Sequence, residues 1–94
     1  MTVYVDDAKI HFRGCLMCHM FADSLDELHA MARAIGLKRS WFQKGDTLAH
    51  YDVSLSKRKL AEERGAVRVD RDWVVARIRE SRKWKEAAPK AVAS

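Results

Sequence analysis

"CLMCHMFADSLDELHAMARAIGLK", residues 15–38, changes its hydrophobic period part-way along. Over Cys15–Ala22 the side chains alternate, with Leu16, Cys18 and Met20 on one side and Cys15, Met17, His19 and Phe21 on the other, as in a strand. From Leu25 the repeat becomes helical through Leu28, Met31, Ala32 and Ile35. Both helix ends are marked. Ser24 and Glu27 fit a capping box, Asp23 and Asp26 suit the positive end of the helix dipole, and Gly36 stops the helix. A strand running directly into an amphipathic helix is the building unit of an α/β fold.

Before this unit, "TVYVDD" (residues 2–7) alternates Val3 and Val5 against Tyr4 and Asp6. Arg13-Gly14 suits a turn, so an antiparallel hairpin connects this first strand to the second. After it, "LKRSWFQ" (37–43) predicts a strand and "KGDTLA" (44–49) a loop. A second helix is expected from about Ser56 to Arg64, capped by Ser54 or Ser56 and stopped by Gly65. "AVRV" (66–69) reads as a short strand. Asp70 caps a third helix over 71–84, whose apolar face holds Trp73, Val74, Ile78 and Trp84. The order predicts an α/β domain: a small mixed, partly parallel sheet of about four strands with three helices over residues 1–84, then a flexible tail over 85–94.

Composition agrees with one globular domain: 94 residues, 48% hydrophobic and 33% charged. No apolar run reaches the ~20 residues of a membrane span and no signal peptide is evident, so a cytoplasmic protein without membrane contact is expected. The net charge of +5 is unevenly spread. Residues 1–76 hold 12 Lys and Arg against 11 Asp and Glu, and residues 77–94 hold 6 against 2. The excess belongs to the C-terminal helix and tail, where a solvated basic end is the commoner reading, and docking of this end, with Trp84 beside Arg82 and Lys83, on an acidic partner or nucleic acid is the lesser expectation.

Cys15-Leu16-Met17-Cys18-His19 matches the C-x-x-C-H haem-attachment pattern. Strand alternation opposes it, because Cys15 and Cys18 then point to opposite faces, and the same geometry opposes zinc held by the cysteines with His11 or His19. Two reduced thiols and no cofactor are expected. Asp6 and Asp7 stand at the end of a strand, where carboxylates often hold a divalent metal, although such a pair more commonly caps a turn. His29 falls on the flank of the first helix's apolar stripe.

A second stretch, "HYDVSLSKRK" (50–59), has its charges reversed for a helix start. Lys57, Arg58 and Lys59 crowd the first turn, whereas Glu62 and Glu63 lie in the last. Ser54, Ser56, Lys57 and Arg58, joined by Arg39, Trp41, Gln43, His50, Tyr51 and Asp52 from neighbouring segments, supply rings, amides, hydroxyls and cations suited to a phosphate-bearing ligand. The leading expectation is a non-catalytic module binding a nucleotide at these residues, with no metal and with a site shared in a homo-oligomer. The alternative is a metal-dependent hydrolase or nuclease using Asp6, Asp7, His50 and Asp52.

"TVYVDDAKI", "CHMFADSLDELHAMARAIGLKRSWFQ" and "HYDVSLSKRKLAEERGAVRV" together resemble the family called domain of unknown function 4031, over about residues 2–70. The family occurs in bacteria and their phages. The resemblance carries no activity and transfers no functional residue. Its phage context implies a counter-defence role, such as sequestering a host nucleotide signal.

Overall fold

The computed structural model describes residues 2–44 and 48–87, with side chains to residue 80. Part of the predicted loop (45–47), the tail from residue 88 and the side chains of Arg82, Lys83 and Trp84 lie outside the described residues. The elements run β1 (Val3–Asp6), β2 (Ile10–Phe12), β3 (Cys15–Ala22), α1 (Leu25–Ala34), a 3₁₀ turn (Arg39–Trp41), β4 (Phe42–Gln43), β5 (His50–Ser54), α2 (Leu55–Glu63), β6 (Val67–Val69) and α3 (Arg71–Ala87). The chain is thus α/β, with three helices and a mixed sheet.

The sheet has six strands rather than about four. Five run in the order β4-β5-β3-β1-β6, and β2 also pairs with β3. The difference has local causes. "HYDVS", predicted to lead into the helix, is itself a strand, alternating Tyr51 and Val53 against His50, Asp52 and Ser54. "LKRSWFQ" instead folds into the 3₁₀ turn, closed by the Trp41 N–H donating to the Lys38 carbonyl, and leaves only Phe42 and Gln43 to pair with β5.

β1 and β2 form one interrupted arm of a hairpin with β3. Arg13 (φ 49°) and Gly14 (φ 80°) make its two-residue turn, and both positive angles suit a type I′ geometry. Val5 pairs with Met20 and Ile10 with Met17, so residues 6–9 face only residues 18 and 19. The excess bulges outward directly after Asp6.

One sheet face is the core. Val3, Val5, Cys18, Met20, Tyr51 and Val53 pack there against Leu28, Ala32 and Ile35 of α1 and Ala61 of α2. On the other face, α3 covers one end: its Trp73 ring lies 4.6 Å from that of Tyr4 and 5.8 Å from that of Phe21. Arg77 then pairs with Asp23 at 3.1 Å. Among the described residues no helix is long and apolar enough to cross a membrane.

Candidate functional site

Beyond α3, the second face carries polar residues on adjacent strands. Register places His19 opposite Asp52 and Gln43 opposite His50. Asp6 continues the β1 alternation on the face of Tyr4, beside His19. Three strands and the edge strand β4 therefore set Asp6, His19, Asp52, His50 and Gln43 in a row.

Hydrogen bonds decide how this row is oriented. Asp6 is buried, and its carboxylate accepts from the His19 ring Nδ1 at 2.7 Å, from the His19 backbone N–H at 2.9 Å and from the Ala8 N–H in the bulge at 3.3 Å. Burial pushes the Asp6 carboxyl up, but the His19 contacts outweigh it and hold the group below its ordinary value of 3.8. The same hydrogen bond raises His19 above its ordinary 6.5, against the opposing effect of burial. His50 Nδ1 lies 2.9 Å from the Leu48 carbonyl. Facing a carboxylate and a carbonyl, both Nδ1 atoms must carry the proton. Both rings therefore direct Nε2 outward.

Those two nitrogens meet one carboxylate. Asp52 Oδ1 lies 3.8 Å from His19 Nε2 and 3.5 Å from His50 Nε2, and the three ligand atoms all fall within 4.8 Å of one another. Gln43 donates its amide N–H to the other Asp52 oxygen. Each convergent group thus has its own orienting partner: Asp6 for His19, Leu48 for His50 and Gln43 for Asp52. Such supporting bonds are characteristic of metal ligands.

A recess of about 290 Å³ holds His19, His50 and Asp52, with Ile10 and Phe12 on its wall. It shares Phe12, Met17, Gln43 and Asp52 with a wider cleft of about 600 Å³, which reaches Arg13, Trp41, Ser54 and Lys57.

The model for "Protein of unknown function (DUF4031)" matches residues 3–81. The chain belongs to this family. No curated protein and no solved structure shows significant similarity to it.

In this DUF4031 chain, five of the predicted ligand-binding residues, Trp41, Gln43, Asp52, Ser54 and Lys57, line the wider cleft, and His50 lines the recess beside it. Ser56 is exposed and hydrogen-bonds Ser54. The other three lie elsewhere. Tyr51 is buried, its hydroxyl bonded to His29 at 2.8 Å, and Arg39 borders a separate cleft with these two residues. Arg58 is buried and donates to the Asp6 carbonyl at 3.2 Å.

The reversed charges at the α2 start serve other elements. Lys57 Nζ donates to the Ile35 carbonyl at 2.7 Å, so it caps the negative C-terminal end of α1. Ser54 caps α2 through the Lys57 N–H. Arg58 secures the end of β1, and Lys59 is exposed.

Cys15 is exposed and Cys18 buried, as the alternation requires. Burial pushes the Cys18 thiol up to about 11, which leaves it a poor ligand at neutral pH. Asp7 is exposed in the bulge, away from the convergent set. His19 is the residue sequence reasoning left out of the site. The C-x-x-C-H pattern drew it toward the cysteines, whereas its strand parity places it on the face of Met17 and Phe21, and its partner Asp52 emerges only from the β3–β5 register.

Proposed function

We propose that this protein binds one divalent transition-metal ion through His19 Nε2, His50 Nε2 and Asp52 Oδ1, and uses it to hydrolyse a phosphate ester. The observation that carries the reading is the spacing of three potential ligand atoms. At 3.5 and 3.8 Å they converge without reaching good hydrogen-bond length. Four ligands at about 2.1 Å around a tetrahedral ion stand about 3.4 Å apart, close to these separations.

Two imidazoles and one carboxylate leave a coordination position for water, and they suit a borderline ion such as Zn²⁺ or Mn²⁺. A bound ion would lower the pKa of a coordinated water toward neutrality and so supply a nucleophile. The water oxygen would bond to phosphorus as the ester P–O bond breaks, and the proton given up by the water would pass through solvent to the leaving oxygen. Arg13 and Lys57 in the adjoining cleft supply the positive charge a phosphate needs. Asp6 is a positioning residue, because it touches His19 rather than the open position.

Metal-free protein titrated with Zn²⁺ or Mn²⁺ in a calorimeter is expected to take up one equivalent, and Asp52→Asn and His50→Ala are expected to take up none specifically. Cleavage of bis(p-nitrophenyl) phosphate or p-nitrophenyl phosphate should require the ion, stop with EDTA and return on metal addition. Equal uptake by the wild type and the Asp52→Asn variant sinks the assignment.

A further inference from the structure

Six large hydrophobic side chains are exposed among the described residues, and only two of them are aromatic: Phe12 at 56% and Trp41 at 48%. Both line the 600 Å³ cleft that runs into the recess of His19, His50 and Asp52. They come from segments far apart in sequence, the hairpin arm β2 and the 3₁₀ turn. Each ring carries a cation of its own: Arg13 lies 5.2 Å from the Phe12 centroid and Lys38 lies 5.6 Å from that of Trp41. Exposed aromatic surface with positive charge close by is suited to a nucleobase joined to a phosphate.

Arg13 adds a second, independent sign. At φ 49° it occupies a left-handed turn position that Asn, Asp or Gly fills at lower cost. Arg13 lines the cleft and its guanidinium lies over the Phe12 ring, so the position keeps a cation beside the cleft at the expense of turn geometry. The volume also fits, since pockets of about 300–1,000 Å³ enclose ligands of nucleotide size.

We infer that the substrate is a nucleoside phosphate whose base lies against Trp41 and Phe12 in the wide cleft while its phosphate reaches Arg13, Lys57 and the His19–His50–Asp52 recess. The place of the phosphate rests on the proposed metal site, and that of the base rests on the cleft alone. Lys57 keeps N–H groups for the phosphate beyond the one bonded to Ile35. Gln43, fixed between Asp52 and the cleft, marks the junction of the two subsites.

The test measures binding of AMP, ribose 5-phosphate and adenosine to the full chain, with Zn²⁺ present and with EDTA. With Zn²⁺, AMP is expected to bind at least tenfold more tightly than either fragment. Trp41→Ala should weaken AMP about tenfold while leaving ribose 5-phosphate binding and Zn²⁺ stoichiometry unchanged. Arg13→Asn should fold at least as stably as the wild type and bind AMP several-fold more weakly. AMP and ribose 5-phosphate binding alike, or an unchanged AMP affinity in Trp41→Ala, overturns the inference. Failure of the metal reading looks different: Trp41-dependent adenosine and AMP binding persists, identical with Zn²⁺ and with EDTA, and no Zn²⁺ is taken up.

Discussion

The two ends of one sheet face share β1 and β3 and reach opposite outcomes. At the α3 end, Tyr4, Phe21 and Trp73 interlock, and Asp23 accepts from the Thr2 N–H, the Tyr4 hydroxyl and Arg77. Every strong acceptor there meets a donor. Two residues further back along β3, His19 Nε2 and His50 Nε2 stand 3.8 and 3.5 Å from Asp52 Oδ1, beyond the usual hydrogen-bond length. The two ends differ in residue type and in donor balance: the closed end surrounds its carboxylate with donors, and the open end sets a carboxylate against two ring nitrogens.

The largest difference should appear when Phe21 and Asp52 are changed in turn. Phe21 is fully buried under α3, and Phe21→Ala is expected to cost about 3–5 kcal/mol in a urea titration. Asp52→Asn should move stability the other way. Its amide can donate to a facing imidazole, so the metal-free variant should match or exceed the wild type by up to about 1 kcal/mol while losing its metal site. A destabilised Asp52→Asn would show that the open end is held together as the closed end is.

Much of the fold was legible because it rests on local signals. The Ser24 cap, the α1 stripe, the Arg13-Gly14 turn and the Asp70 cap all form within a few residues, and the structure keeps each of them. β2 escaped notice because all three of its residues are exposed, so no buried face imprints a period. β5 was missed because its alternation was overshadowed by the cations that follow it. The site was half legible. His50, Asp52 and Gln43 were singled out from one neighbourhood, but His19 joins them only through non-local pairing, which composition and period do not encode. Likewise, Lys57 looked misplaced because the helix it caps is not its own.

A smaller effect separates the two carboxylates that hold partners in place, Asp6 buried and Asp23 exposed. Asp6→Asn keeps one oxygen, which can still accept from the His19 backbone N–H as Oδ1 does, but sets an amide NH2 against the His19 ring in place of Oδ2 and loses the charge that orients the imidazole and raises its basicity. Metal affinity should fall about 10–100-fold, with the stoichiometry still one. Asp23→Asn at the closed end should leave metal affinity unchanged. If both variants weaken the metal equally, the recess depends on the whole face rather than on the Asp6–His19 contact.

The smallest effect is an acid-limb test of the closed end. Burial pushes the Asp23 carboxyl up, but the Thr2 N–H, the Tyr4 hydroxyl and Arg77 together hold it below its ordinary value of 3.8. A carboxyl depressed on folding stabilises the protein above its unfolded value, and that contribution is lost as pH falls through the folded one. Because the Asp23–Arg77 pair is near the surface, the gain at neutral pH should be only about 0.5–1 kcal/mol. Urea midpoints of the wild type and Asp23→Asn should therefore differ near neutrality and draw together as the pH falls below the ordinary 3.8. A difference that stays constant across the acid range would mean that Asp23 acts by shape and hydrogen-bond geometry, leaving its charge without a part in closing this end of the face.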